Sequence, residues 1–249
     1  MVEGNNSPYQ SLRIIISNKD IMSSQYIQGD IHEVIKTLED NSIDFIYTDP
    51  PFAITKARWD TPLQWSELFP EMWRVLKPHG AICLYASMPF TYELLRYEKP
   101  KYHYSWIKNN STGFLQCKNQ PLRKTEEIFI YYKKKPTYNP QMIGDTFYPK
   151  RNVKYGGKNG YWGEDGINKQ NEYLKEEGHT GNYPSNVLTY PIRKDKTGVT
   201  RTDDHIDFFI KTYTNENDTI LDMTCHVKYV GNRCQELQRN YIGVDLEID

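Results

Sequence analysis

The chain has 249 residues, 31 basic and 32 acidic, for a net charge of −1. That length carries one sizeable domain with room for an insertion, and near-neutrality excludes a globally basic nucleic-acid binder, so any phosphate-binding charge must be local. Cys83, Cys117, Cys225 and Cys234 show no paired spacing and no apolar stretch approaches about 20 residues, which points to reduced thiols in a soluble intracellular protein without a membrane span.

Residues 1 to about 23 carry little pattern. Residues 24–27 read as a short strand, and Gln28-Gly29-Asp30 turns into a helix over 31–38, with Asp30 at the N-cap. The apolar run 43–47 reads as a buried strand that stops at Thr48-Asp49-Pro50-Pro51-Phe52. Two prolines remove two backbone donors and leave rigid carbonyls. A carboxylate and a proline carbonyl accept hydrogen bonds from an exocyclic amine, and Phe52 can stack on the ring that carries it. Residues 53–59 read as a mobile lid offering Lys56, Arg58 and Trp59; Trp59 either meets a ligand or packs the lid onto the core.

A helix over 65–76 ends at the stop signal Lys77-Pro78-His79-Gly80, and 81–86 is a buried strand. Helix 89–97 and strands 102–107 and 128–132 follow. The stretch from Lys108 to Gly113 and the basic Arg123 and Lys124 lie between those strands; Lys133, Lys134 and Lys135 read as a solvated strand end. Residues 143–184 hold eight of the 15 glycines, several aromatics and few aliphatics, with Lys150, Arg151 and Lys154 near the start. Such a segment builds no large core and reads as an insertion of loops and short strands, partly disordered. A helix over 202–213 capped at Thr202, a strand over 219–222, a helix over 229–237 and a strand over 241–245 complete the chain. Alternating strands and helices predict an α/β, doubly wound, mostly parallel sheet, with ligands beyond the carboxyl ends of its strands.

Asp49-Pro50-Pro51-Phe52, with the passage from Lys108 to Met142, resembles the permuted (beta-class) amino-methyltransferases of DNA, which move a methyl group from S-adenosylmethionine (SAM) to adenine N6 or cytosine N4. The resemblance implies a Rossmann-like class I SAM-dependent methyltransferase fold. It divides the chain into a catalytic half (1–142), a target-recognition insertion (143–184) and a SAM-binding half (185–249). It assigns catalysis to Asp49, Pro50, Pro51 and Phe52, and SAM contact to Asp30, Ile31, Asp49, Arg201, Asp222, Thr224 and Asp245. Lys56, Arg58, Arg123, Lys124, Lys150, Arg151 and Lys154 are implied to meet double-stranded DNA, and phosphate contact is also open to Lys133–Lys135. No metal is needed, a homodimer is compatible, and a bacterial or viral restriction-modification setting is implied. Asp at the head of the motif favours adenine over cytosine, where Ser is usual. Asp49, as a loop carboxylate, is expected to hold up little of the core.

Two stretches depart from the family. Its glycine-rich cofactor turn is replaced by Met223-Thr224-Cys225-His226-Val227-Lys228, with His226 and Lys228 at the glycine positions, which predicts bulk in a tight turn. The family's His-Pro-Thr-Gln-Lys-Pro corresponds to Thr197-Gly198-Val199-Thr200-Arg201-Thr202, where Arg201 keeps the basic position. A catalytically silent DNA-binding or partner protein with a methyltransferase fold is therefore the alternative.

Overall fold

The computed structural model describes residues 13–19, 22–149, 178–195 and 198–248. The chain divides into two units, Met1–Asn139 with Asn186–Asp249, and Pro140–Ser185.

The first unit is built on a nine-stranded sheet in the order β1-β2-β13-β12-β3-β4-β6-β5-β9. Its strands are β1 (Arg13–Lys19), β2 (Met22–Gln28), β3 (Ile43–Thr48), β4 (Leu76–Ala86), β5 (Tyr102–Thr112), β6 (Arg123–Tyr131), β9 (Val187–Tyr190), β12 (Thr219–Asp222) and β13 (Asn240–Asp245). The central run β2-β13-β12-β3-β4 is parallel throughout, while β6 is antiparallel to both β4 and β5. The expected mostly parallel α/β sheet is the one observed. A small antiparallel pair, β10 (Ile192–Asp195) and β11 (Gly198–Arg201), stands apart from it.

Period-two alternation explains how the sheet feeds two cores. Ile43 and Ile46 of β3 and Ile82, Leu84 and Ala86 of β4 enter one apolar cluster, and Phe45, Tyr47, Ala81, Cys83 and Tyr85 enter the other. The first is covered by α1 (Ile31–Thr37), α2 (Trp65–Val75) and α3 (Phe90–Tyr97), the second by α4 (Asp203–Tyr213) and α5 (Tyr229–Glu236). Trp65, Leu68, Phe69, Met72 and Val75 form the buried stripe of α2 at helical spacing, each burial contributing roughly 1.5–3 kcal/mol before entropy is counted. Helix α5 passes so close to the sheet that a Cβ on Gly231 would stand 2.2 Å from the Tyr26 hydroxyl.

Several boundaries differ from expectation. Strand β1 forms where little pattern was read, because Ile14–Ile16 is a short apolar run whose partner is β2. Helix α2 ends where expected, yet Leu76–Gly80 belongs to β4. The register jumps from Ile43↔Leu76 to Phe45↔Ala81, so the stop residues become an irregularity inside the strand. Thr202 occupies the N-cap position of α4, but its side chain makes no capping bond. In the second unit, β7 (Ile143–Tyr148) pairs antiparallel with β8 (His179–Asn182).

Candidate active site at the carboxyl edge of the sheet

Four parallel strands end side by side, and short hydrogen bonds tie their ends together. The Gly29 amide after β2 donates to the Asp245 carbonyl at 2.9 Å, and the Cys225 amide after β12 donates to the Val244 carbonyl at 3.0 Å. The Thr48 and Thr224 hydroxyls lie 3.3 Å apart. Asp30, Ile31, Asp49, Asp222, Thr224 and Asp245, chosen from the sequence, thus share one edge of the sheet.

Asp49 follows β3 directly and is half-buried; Pro50 is buried, and Pro51 and Phe52 are half-buried. The Phe52 ring stacks on Phe90 with centroids 5.4 Å apart and planes at 21°. The Asp49 carboxylate is not a free loop group. Arg201 Nη2 donates to its Oδ1 at 2.8 Å, and Arg201 Nη1 pairs with its Oδ2. The same Nη2 donates to Glu126 Oε2 at 2.8 Å, and Lys108 Nζ donates to Glu126 Oε1 at 3.0 Å and to Thr112 Oγ1 at 3.2 Å. Arg201 also lies over the rings of Tyr85 (4.4 Å) and Trp106 (5.1 Å). Lys108 is 1% exposed and Arg201 8%; cations are buried this deeply when each is paired. Burial pushes the Asp49 carboxyl up to about 6; the Arg201 charge opposes that rise and the Glu126 charge adds to it.

Asp222 is buried beneath the cofactor-loop segment, where its oxygens accept from the Thr224 amide (3.2 Å) and the Tyr241 hydroxyl (3.1 Å). Burial pushes its carboxyl up to about 7. Asp245 accepts from the His226 amide at 2.9 Å and the Glu247 amide at 3.2 Å. Ile31 is buried in the core beneath α1. Asp30 caps α1 by accepting from the His32 amide at 2.9 Å. The Gln64 amide donates to His32 Nε2 at 3.1 Å, so that nitrogen carries the lone pair, and Nδ1–H donates to Asp30 at 2.8 Å. Burial works against ionisation of Asp30, and the His32 bonds outweigh it, holding the carboxyl below its usual range.

The turn at His226 and Lys228 accommodates both residues without positive φ. Both side chains are exposed, and Lys228 has φ −71°. The non-glycine residues with positive φ among the described residues are Asn41, Ala53, Asn217 and Gln238. The turn therefore follows a path open to L side chains, and glycine is not required in it.

The segment after the motif is tethered, in place of the free lid expected there. Asp60 accepts from the amides of Ala53 (2.7 Å), Ile54 (2.9 Å) and Thr55 (2.6 Å), which holds Ala53 at φ 53°. Burial opposes the charge on Asp60, and the bonds from Thr55, Ala53 and Ile54 overcome it, leaving the carboxyl below its usual range. Trp59 is 72% exposed and does not pack the segment onto the core; Lys56 and Arg58 are exposed beside it.

Because β6 runs antiparallel to β4 and Ala86 pairs with Glu127, the start of β6 lies at the Asp49 edge, with Arg123 half-buried and Lys124 exposed. Lys133–Lys135 follow the other end of β6, away from Asp49, and Lys133 sits 5.1 Å over the Trp73 ring. Their position favours the solvated strand end over phosphate contact. Lys150, Arg151 and Lys154 lie outside the described residues. Among the described residues no cluster of His, Cys, Asp and Glu is arranged to hold a metal ion, and no helix is long and apolar enough to cross a membrane.

Sequence reasoning gave no role to Lys108, Glu126, Asp60 or His32. The signal for the first two is the alternation itself. Tyr104, Trp106 and Lys108 share one face of β5, and Glu126, Ile128 and Ile130 share one face of β6, so both charges continue buried rows.

A family model described as DNA methylase matches residues 43–249. The Type II methyltransferase M.HpaI of Haemophilus parainfluenzae is 28% identical over 239 residues, covering 90% of this chain and 71% of its own length. M.BamHI of Bacillus amyloliquefaciens is 26% identical over 238 residues, and the chain spans about half of it, 53%. Among solved structures, the M1.HpyAVI–SAM complex superposes with a TM-score of 0.54 at 21% identity, covering 90% of this chain and 94% of that one. The PvuII cytosine-N4-specific DNA methyltransferase gives 0.59 at 14% identity, covering 91% and 83%. At these identities the two structures speak to the fold.

Proposed function

The chain belongs to the DNA methylase family, and from that premise we propose that it methylates the N6 amine of adenine within a specific duplex site, with SAM as methyl donor. One observation carries the choice of base: aspartate, not serine, heads Asp49-Pro50-Pro51-Phe52 at the carboxyl end of β3.

The side chains at this edge suit SAM. Ribose hydroxyls need acceptors, and the Asp245 and Asp30 carboxylates keep lone pairs beyond those their backbone donors use. A carboxylate needs donors, and Arg201 Nε and Thr202 Oγ1 are buried with no partner among the described residues. In this reading Asp30, Ile31, Arg201, Thr224 and Asp245 hold the cofactor, and Asp222, with Asp49 beside it, shapes its pocket from below. Bound there, SAM supplies an electrophilic methyl group.

The protein's own part is positioning and charge. The target base leaves the duplex, at an unpairing cost of a few kcal/mol, and stacks on Phe52, whose ring is backed by Phe90. The Asp49 carboxylate and the Pro50 carbonyl accept from the amine and aim its lone pair; fixed acceptors of this kind lower the barrier because no reorganisation remains. The methyl group would leave SAM with the S–C electron pair remaining on sulfur, and the amine proton passes to Asp49 as the new N–C bond forms, and from there to solvent. Lys56, Arg58, Arg123 and Lys124 provide local positive charge for the duplex, and 143–184, with Lys150, Arg151 and Lys154, is the segment we assign to reading the site. The backbone of the replaced turn does not require glycine, which supports the enzyme reading over a silent binder.

Mass spectrometry of nucleosides from DNA of cells expressing the protein, beside an Asp49→Ala control, tests the reading. N6-methyladenine made only by the intact protein is the expected result. N4-methylcytosine would keep the chemistry and correct the base. No mark on either base, on DNA rich in varied sites, would overturn the proposal.

A further inference from the structure

Behind Asp49 lie two charges, Lys108 buried and Glu126 half-buried, to which methyl transfer, as described, gives no role. Lys108 and Glu126 sit on the paired strands β5 and β6, and Glu126 bridges Lys108 to Arg201. The row runs Lys108, Glu126, Arg201, Asp49, alternating in sign and neutral in sum. A lysine buried to 1% is costly in a fold that needs only packing there, since Tyr104 and Trp106 fill the same face with apolar rings. Nη2 of Arg201 is shared between Asp49 and Glu126 while Nη1 pairs with Asp49 alone, so Glu126 draws off part of the donation that Asp49 would otherwise receive.

We propose that Lys108 and Glu126 are positioning residues for methyl transfer: they hold Arg201 between two carboxylates and thereby set the orientation and charge of Asp49. This rests on the methyltransferase reading above. With Arg201 so held, each Asp49 oxygen keeps a lone pair for the incoming amine. Without Glu126, the whole Nη2 donation falls on Asp49 and a negative charge beside it is lost, which weakens Asp49 as an acceptor for that amine; without Lys108, Glu126 is left as an uncompensated anion beside Arg201.

The other titratable groups around the row are known. Tyr47 on β3 and Cys83 and Tyr85 on β4 are pushed up by burial and stay neutral, and burial pushes His205 on α4 down so that it stays neutral too. Asp222 on β12 titrates near Asp49, so the measurement must resolve the two acids.

Carboxyl 13C NMR of aspartate-labelled protein, with the Asp49 signal assigned by Asp49→Asn, follows Asp49 alone. Glu126→Gln removes a negative charge and should move its titration to lower pH; Lys108→Gln removes a positive one and should move it to higher pH, each by roughly one unit. The acid limb of the methylation rate should move with it, while kcat falls about tenfold or more. Lys108→Arg and Glu126→Asp keep the charges and should leave the titration in place, which guards against a misfolded glutamine variant. Shifts in one direction for both glutamine variants, or none in either, overturn the proposal. Opposite shifts in a wild type that methylates nothing would uphold the charge row and sink the methyltransferase reading instead.

Discussion

Arg201 and Asp49 stand 152 residues apart in the chain and meet through a two-pronged contact, Nη2 to Oδ1 at 2.8 Å and Nη1 to Oδ2. This contact makes Asp49 the outer end of a row of charges whose two cations are buried, where a loop carboxylate holding up little of the core was expected. It also opposes the rise that burial imposes on the Asp49 carboxyl.

Asp49 must be ionised to accept from an amine, and its carboxyl is pushed up from 3.8 to about 6 by burial. The methylation rate should therefore be level above pH 7 and fall about tenfold per unit below about pH 6. Single-turnover methylation between pH 5 and 8.5 measures it. A rate independent of pH down to 5 would mean that Asp49 does not work as an acceptor.

Asp222 should make the protein less stable as pH rises. Its folded-state carboxyl is raised from 3.8 to about 7, so the folded chain holds a proton that the unfolded chain has released. The stability is full below about pH 3.8 and is lost as pH climbs through about 7. Asp222→Asn removes the ionisation, and the Tyr241 hydroxyl can turn from donor to acceptor. The variant should gain about 2 kcal/mol at pH 8, a Tm several degrees higher, and little at pH 4. Calorimetry of both proteins at the two pH values decides it; an equal change at both would remove Asp222 as the cause.

Asp60→Ala strips the acceptor from three consecutive amides at Ala53, Ile54 and Thr55. The loss should cost about 2 kcal/mol and lower Tm by roughly 5 °C. Because Ala53 follows Phe52 directly, methylation should slow more than DNA binding weakens. Hydrogen exchange at these three amides should quicken in the variant; unchanged protection would show that the loop is held by something else.

Restoring glycine at His226 and Lys228 should not improve SAM affinity. Lys228 already has φ −71°, so the double variant relieves no backbone strain, loses the Lys228 contact over the Tyr26 ring and loses backbone order. Isothermal titration is expected to agree with the wild type within about twofold, with a slightly lower Tm. A gain of tenfold would restore the reading in which these residues obstruct the pocket.

Much of the fold was legible in the chain because it depends on neighbours a few residues apart. The run from Ile43 ending in Asp49-Pro50-Pro51-Phe52, the N-cap at Asp30 and the strand at Thr219–Asp222 all follow from local spacing. Strand β1, the irregularity after Leu76 and the path of the His226 turn did not, since each depends on a partner strand or loop supplied from elsewhere.

By itself, then, the sequence determined the alternation that builds two cores, the motif at the end of β3 and the edge where ligands gather. Tertiary structure alone decided which charges are buried together. Lys108, Glu126, Arg201 and Asp49 come from four separate segments, and only the sheet order together with the placing of the β10–β11 pair brings them into one row. The reason is physical: periodicity records which face of an element avoids water, whereas the strength of a charge pair depends on the distance and desolvation that long-range packing creates.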